Sequence, residues 1–146
     1  MLFDIGYPEI AYKLLTASEP HGFGRWYKQG ATTLHEYFPD PSRSHSHPMF
    51  GAVVAVMYEY IIGIRQTEES AGYREVIISP ELIDALTEVS GYITSPYGRI
   101  SVSYTTENKV RNYTVEIPDG VTAHIKLPNL PECTVGGGIH AYTATI

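Results

Sequence analysis

The spacing of apolar residues divides the chain near Ala71-Gly72 into a helical part and a strand-rich part. In the helical part, apolar residues recur at helical spacing from Pro8 to Ala17, which predicts a first helix. A further helical turn is predicted over Arg25 to Gln29. The longest apolar stretch predicts one helix from Pro48 to Arg65, and its apolar residues cover so much of the circumference that we expect burial on several sides.

After residue 71 the pattern changes to short runs rich in β-branched and aromatic residues, separated by turn signals. Successive strands are therefore expected to be antiparallel, and a small β-sandwich is the natural way to close them. The predicted class is α+β, with domains 1–71 and 72–146. The six predicted strands are Tyr73 to Ile78, Glu88 to Ser95, Gly98 to Thr105, Arg111 to Ile117, Thr122 to Leu127 and Ile139 to Thr145.

Composition narrows the function classes. Ten basic against sixteen acidic residues give a net charge of -6, so we expect no nucleic acid partner. The single cysteine, Cys133, excludes an internal disulfide framework. The apolar stretch Val53 to Ile64 is shorter than the roughly 20 residues that a bilayer requires, so no membrane span is expected. The N-terminus has no secretory signal pattern, which leaves the compartment open.

Polar residues with possible chemistry crowd into the irregular segment Gly30 to His47. His45 and His47 stand two positions apart without a third ligand at a recognisable spacing, so we expect no metal and no cofactor. Glu36 lies between Leu34 and the pair Tyr37-Phe38. From the residues alone, Glu36 is either a usable general base or a solvated loop carboxylate.

Three successive motifs carry a family resemblance. The motifs are Ala11 to Leu15, Gly-Ala-Thr-Thr-Leu-His-Glu over residues 30–36, and Ser-His-Ser-His-Pro-Met-Phe-Gly over residues 44–51. They resemble, in the same order, motifs of bacterial α-L-rhamnosidases of glycoside hydrolase family 78. The segments Gly72 to Pro80 and Ser95 to Ile100 resemble the start of that family's C-terminal β domain. The resemblance therefore spans nearly the whole chain.

The resemblance implies that residues 1–71 are the last helices of an (α/α)6 catalytic barrel, followed by an antiparallel β-sandwich. The upstream barrel of the same protein would then cover the apolar Pro48–Arg65 helix. A longer parent protein would hydrolyse terminal α-L-rhamnose from carbohydrates with inversion. Its general acid would lie upstream, so this chain alone is expected to be inactive. Because the apolar helix would be uncovered without the barrel, the chain alone is also expected to self-associate through Val53, Met57 and Ile61.

The resemblance also implies roles for individual residues. Glu36 matches the glutamate that acts as general base, and His47 matches a histidine that contacts the sugar. His35 stands where the family usually has tryptophan, and Trp26 is a candidate for the aromatic platform from a shifted position. Trp26 in the core remains an equal alternative. The predicted substrate-binding residues are thus His47, His35 and Trp26.

Two other function classes stay open. One is a carbohydrate-binding β-sandwich in which Tyr92, Tyr97 and Tyr104 form a stacking face for a sugar. The other is a structural module without a ligand, which pairs with a partner through an exposed apolar helix face.

Overall fold

The computed structural model of the chain describes residues 2–19, 22–38 and 43–146. It divides into two compact units, Met1–Val56 and Met57–Ile146, which we call the helical unit and the sandwich unit. The domain boundary predicted at residue 71 stays a prediction. Within the described residues, no helix is both long enough and apolar enough to cross a membrane.

Among its described residues, the helical unit contains three short α-helices: α1 (Pro8–Thr16), α2 (Phe23–Lys28) and α3 (Ala52–Val56). A 3-10 turn over Pro48–Phe50 precedes α3. The predicted helix from Pro8 is confirmed as α1, whose first turn carries Pro8 and Glu9 as expected. Within α2, a β-carbon at Gly24 would overlap the Thr16 carbonyl, so glycine permits the close approach of α2 to the end of α1.

The single helix predicted from Pro48 to Arg65 is confirmed only in part. Pro48–Phe50 is a 3-10 turn, Ala52–Val56 is an α-helix and Met57–Ile62, the first element of the sandwich unit, is a π-helix, whereas Ile64–Gln66 is a strand. Gly63 ends the helical backbone with φ +78°, and a β-carbon there would overlap the Pro80 backbone. The apolar pattern could not show this, because Ile61, Ile62 and Ile64 suit a helix and a strand equally well.

Burial along the same stretch is uneven. Val53, Tyr60 and Ile62 are buried, whereas Val54 is 48% exposed and Met57 is 41% exposed. The expected burial on several sides is therefore absent within this chain. Self-association through Val53, Met57 and Ile61 stays a prediction, although Val53 is only 7% exposed.

The sandwich unit contains two four-stranded sheets, with strand orders β1-β2-β6-β7 and β3-β4-β5-β8. All six predicted strands are confirmed with shifted ends, and two further three-residue strands, the first and the seventh, were not predicted. The strands are β1 (Ile64–Gln66), β2 (Glu75–Ile78), β3 (Glu88–Ser95), β4 (Gly98–Glu107), β5 (Val110–Ile117), β6 (Thr122–Ile125), β7 (Cys133–Val135) and β8 (Gly138–Thr145).

Paired strands that follow one another in sequence are antiparallel, as expected. The pairing of β2 with β6 is parallel, which the sequence did not indicate. The glycines 136–138 do not form a hairpin turn, because β7 and β8 belong to different sheets. These glycines instead carry the chain from one sheet to the other.

Alternation along the strands places one face of each sheet in a shared core. Val76, Ile100, Val115 and Ala123 are completely buried there. Arg111 is also buried, at 1% exposure, and its guanidinium donates to Thr106 Oγ1 at 2.7 Å and to the Leu86 carbonyl at 3.0 Å. This arginine fastens the loop before β3 to the sheet, because it satisfies carbonyl groups that no strand pairs.

Candidate functional site

The two motifs of the polar segment are joined by backbone hydrogen bonds. The Glu36 N–H donates to the Ser44 carbonyl at 2.9 Å, and the His47 N–H donates to the Leu34 carbonyl at 2.8 Å. The Thr33 hydroxyl donates to the His45 carbonyl. Residues 33–36 and 44–47 therefore lie side by side, which brings the predicted base and the predicted sugar-contacting histidine into one region of the helical unit.

The Glu36 carboxylate is held from two sides. Oε2 accepts from the Ser44 N–H at 3.3 Å, and Oε1 lies 3.8 Å from the Arg43 guanidinium. The Glu36 side chain is 33% exposed and that of Arg43 is 61% exposed. The carboxylate is thus oriented by its own loop and remains reachable by water.

His47 caps the 3-10 turn that follows it. Its Nδ1 accepts from the Met49 N–H at 3.1 Å, so the neutral ring carries its proton on Nε2. This bond fixes the ring plane and leaves Nε2–H as the outward donor. Such a donor suits a hydroxyl or a carbonyl oxygen.

Trp26 is the centre of an aromatic cluster. It stacks on Phe38 with ring centroids 4.2 Å apart, and it makes edge contacts with Phe23 and Phe50. The residue is 3% exposed, and its buried Nε1 has no hydrogen-bond partner among the described residues. Packing of this kind stabilises the helical unit, whereas the part that Trp26 takes in sugar binding stays a prediction.

His35 lies between the aromatic cluster and the loop. Its ring centroid is 5.1 Å from that of Trp26 and 4.3 Å from that of His45, and the two imidazoles are nearly parallel at 9°. His35 is half-buried and His45 is exposed. The structure thus connects three predicted or candidate site residues, Trp26, His35 and His45, in one row of rings.

A cavity of about 240 Å³ lies beside the motif of residues 30–36. Phe23, Trp26 and residues 31–34 line it. The described residues contain no group of three or more histidine, cysteine, aspartate or glutamate side chains that could hold a metal ion.

Sequence reasoning gave no role to two groups that orient Glu36: the Arg43 guanidinium and the Ser44 backbone N–H. Neither has a sequence signal, because both contacts form only where residues 43 and 44 come close to Glu36 in the folded chain. Backbone donors in particular are invisible to motif analysis, since every residue except proline carries one.

Two family models match consecutive parts of the chain. Residues 1–61 match the bacterial alpha-L-rhamnosidase 6 hairpin glycosidase domain, and residues 63–141 match the bacterial alpha-L-rhamnosidase C-terminal domain. The second match alone covers more than half of the chain.

Curated relatives agree with the family models. Two alpha-L-rhamnosidases of Formosa agariphila are 27% and 30% identical over 87% and 88% of this chain. An alpha-L-rhamnosidase of Streptomyces avermitilis is 28% identical over 88% of it. The chain covers only 13–15% of these relatives, so it corresponds to a small share of their length.

Solved structures show the same fold. The Streptomyces avermitilis alpha-L-rhamnosidase complexed with L-rhamnose matches 98% of this chain at 25% identity and a TM-score of 0.88, with 16% of that enzyme covered. An Aspergillus terreus enzyme of the same name matches 98% with a TM-score of 0.91 at 22% identity, with 18% of it covered. The chain belongs to the bacterial alpha-L-rhamnosidase family and carries sequence of both its six-hairpin and its C-terminal domain.

Proposed function

We propose that this chain is the C-terminal part of an inverting glycoside hydrolase that removes terminal α-L-rhamnose from carbohydrates. Glu36 is the general base of that enzyme, and His47 binds a hydroxyl of the sugar. The observation that carries the proposal is the backbone pairing of residues 33–36 with residues 44–47. Because of this pairing, Glu36 and His47 lie on two adjacent loop segments, which we call the loop pair. Family membership supplies the reaction class.

Two features of Glu36 support its assignment as the base. The Ser44 N–H and the Arg43 guanidinium fix its two oxygens, and a third of the side chain remains exposed to solvent. In the reaction, a carboxylate oxygen takes a proton from a water molecule while the water oxygen bonds to the anomeric carbon. The bond to the leaving group breaks on the opposite face, where a general acid protonates the departing oxygen.

His47 contributes orientation. Because Nδ1 is occupied by the Met49 N–H, Nε2–H is the free donor, and it can hold a ring hydroxyl in a fixed direction. A sugar held in this way presents its anomeric carbon at a constant distance from the base.

The remaining components belong to a longer parent protein in this proposal. An inverting pair of carboxyl groups stands about 6.5–9.5 Å apart, and the second carboxyl group is assigned to the upstream barrel. The chain alone is therefore expected to be inactive. No cofactor takes part in the proposed reaction.

The test is hydrolysis of an aryl α-L-rhamnoside by the full-length gene product, its Glu36→Gln variant and this 146-residue chain. We expect cleavage by the parent, a loss of kcat of roughly 10³-fold or more in the variant, and no cleavage by the chain. Proton NMR of the first sugar released gives the anomeric configuration.

The matched control is Glu68→Gln, an exposed glutamate in the turn after β1. This variant should cleave like the wild type. Unchanged activity in Glu36→Gln would contradict the assignment of the base, and a retained anomeric configuration would contradict inversion.

The alternative of a carbohydrate-binding module on three tyrosines is wrong for one of them, Tyr104. Tyr104 is 1% exposed and packs in the sandwich core, so it cannot share a stacking face with Tyr92 and Tyr97. These two tyrosines are 51% and 42% exposed.

A further inference from the structure

A polar cleft of about 530 Å³ lies in the sandwich unit. Its lining includes Glu69 and Arg74 from the loop between β1 and β2, Glu75 at the start of β2, and Tyr97 and Thr122. The volume is in the range of small-molecule sites, which run from about 300 to 1,000 Å³. The residues of the proposed reaction, Glu36 and His47, do not line this cleft.

Tyr97 forms an aromatic wall of the cleft and is held firmly. It sits at the tip of the β3–β4 hairpin, where its N–H donates to Ser95 Oγ at 3.2 Å. Ser95 is buried and donates in turn to the Gly98 carbonyl at 2.9 Å. A β-carbon at Gly120 would lie 3.6 Å from Tyr97 Cδ1, so the turn between β5 and β6 lies close to one edge of the ring. The Tyr97 backbone is thus tied to the hairpin, while 42% of the residue stays exposed.

Glu75 supplies an oriented acceptor. Its Oε1 accepts from His124 Nε2 at 2.7 Å, and His124 Nδ1 lies 3.2 Å from Thr134 Oγ1. The Glu75 N–H donates to Ser70 Oγ at 2.9 Å. The bond to His124 orients the carboxylate from β6, and the bond to Ser70 anchors the Glu75 backbone to the preceding loop, which lowers the entropy cost of ordering this group around a ligand.

Arg74 and Glu69 add exposed groups of opposite charge to the same cleft. The Thr122 N–H donates to the Arg74 carbonyl at 3.0 Å, which ties the backbone of Arg74 to β6. The cleft is therefore lined by a guanidinium group as donor, carboxylates as acceptors and one aromatic ring.

This combination selects a class of ligand. A sugar carries adjacent hydroxyls, each a donor and an acceptor, on a ring whose C–H face packs against an aromatic side chain. Two carboxylates against one guanidinium disfavour phosphate and other anions. The described residues contain no cluster of metal-ligating side chains here. A neutral carbohydrate is the ligand that uses all of these groups.

We propose that the cleft formed by Glu69, Arg74, Glu75 and Tyr97 is an accessory carbohydrate site of the sandwich unit, whose residues take no part in the proposed hydrolysis. The choice of a rhamnose-containing glycan rests on the proposed function, whereas the choice of a carbohydrate rests on the cleft itself. The site raises the residence of the parent protein on a polymeric substrate.

The experiment measures binding without hydrolysis. The full-length gene product carrying Glu36→Gln is run by affinity electrophoresis through gels that contain a soluble rhamnose-rich polysaccharide or dextran. Adding Tyr97→Ala or Arg74→Gln should weaken retardation by the rhamnose polymer roughly tenfold. Thermal unfolding of each variant, compared with its parent, shows whether the fold is intact.

The matched control is Tyr92→Ala, which removes another exposed tyrosine of the same unit. Tyr92 lies on β3 with the Arg99 guanidinium 4.1 Å from its ring centroid, and it does not line the cleft. We expect no change in retardation. Equal retardation in folded Tyr97→Ala and Arg74→Gln proteins, or loss confined to Tyr92→Ala, would overturn the proposal.

Dextran separates this proposal from the proposed function. If dextran alone retards the protein and Tyr97→Ala abolishes that retardation, the carbohydrate site is supported and the choice of rhamnose is contradicted. Hydrolysis of the aryl rhamnoside by wild-type protein is measured independently, so each proposal has its own failing result.

Discussion

The two units of the chain bury their apolar residues very differently. In the sandwich unit, both sheets contribute to one core with completely buried residues such as Ile78, Ile100 and Val115. In the helical unit, the apolar side chains Ile5, Ile10 and Leu14 are 49–65% exposed. The comparison shows that a β-sandwich of this size closes its own core, whereas short helices from a larger barrel do not.

The difference also bears on where chemistry can reside. The predicted base lies in the unit with the thinner core, on a loop positioned by backbone hydrogen bonds. Loops on a scaffold commonly carry function. A loop of this kind holds its geometry only as well as the helices beneath it are packed, so the upstream barrel of our proposal would support the site as well as complete it.

The largest difference between the two units is expected when the same kind of apolar side chain is truncated in each of them. Ile100→Ala should lower the free energy of unfolding by about 2–5 kcal/mol, because it leaves a cavity between the sheets. Leu14→Ala, at an exposed helical position, should change it by no more than about 0.5 kcal/mol. Urea denaturation of the 146-residue chain, followed by circular dichroism and by the fluorescence of its single tryptophan, measures both. Equal losses would contradict the contrast.

Backbone strain gives a second, smaller contrast. Gly63→Ala should cost about 2–3 kcal/mol, since it adds a clash with the Pro80 backbone to the cost of positive φ. Gly6→Ala has nearly the same φ, +79° against +78°, with no atom within 4 Å of the new β-carbon. Its cost should be about 1 kcal/mol. Thermal unfolding of both variants separates strain from clash, and a smaller effect at Gly63 would contradict the steric argument.

Alkaline pH provides the smallest and most specific probe. Burial raises the pKa of Tyr113, an effect that the Arg111 guanidinium partly offsets. The unfolded chain releases this proton near pH 10, before the folded chain does, so the contribution of Tyr113 to stability is lost as the pH rises above about 10.

Tyr113→Phe should therefore flatten the decline in stability above pH 10. The Tyr113 hydroxyl is buried without a partner among the described residues, so the variant should fold normally at neutral pH. Denaturation midpoints between neutral pH and pH 11 measure the slope. An unchanged slope would show that other groups control alkaline unfolding.

Much of the sandwich could be predicted from the sequence because local pattern determines it. The alternation in Ile100 to Tyr104 and the turn at residues 95–98 indicate a hairpin, and β3 and β4 form it. The three-residue strands β1 and β7 are too short to show a period. The parallel pairing of β2 with β6 depends on a distant partner, which no local pattern reports.

The candidate site was predicted less completely. The motifs identified Glu36 and His47, and the structure places both in one loop pair, while their roles stay proposals. The orientation of Glu36 depends on the Ser44 N–H, and the row from Trp26 to His45 depends on ring packing. Such contacts arise from the folded backbone, so residue types and spacing do not reveal them.

The parallel pairing of β2 with β6 has a consequence for folding kinetics. β3, β4 and β5 form a meander of consecutive hairpins, so their contacts can form early at small loop-closure cost. β2 and β6 are separated in sequence by β3, β4 and β5. Their pairing therefore closes a long loop, which costs more conformational entropy than a hairpin. We therefore expect the sheet containing β2 to assemble after the meander, and closure of that sheet to set the refolding rate of the unit.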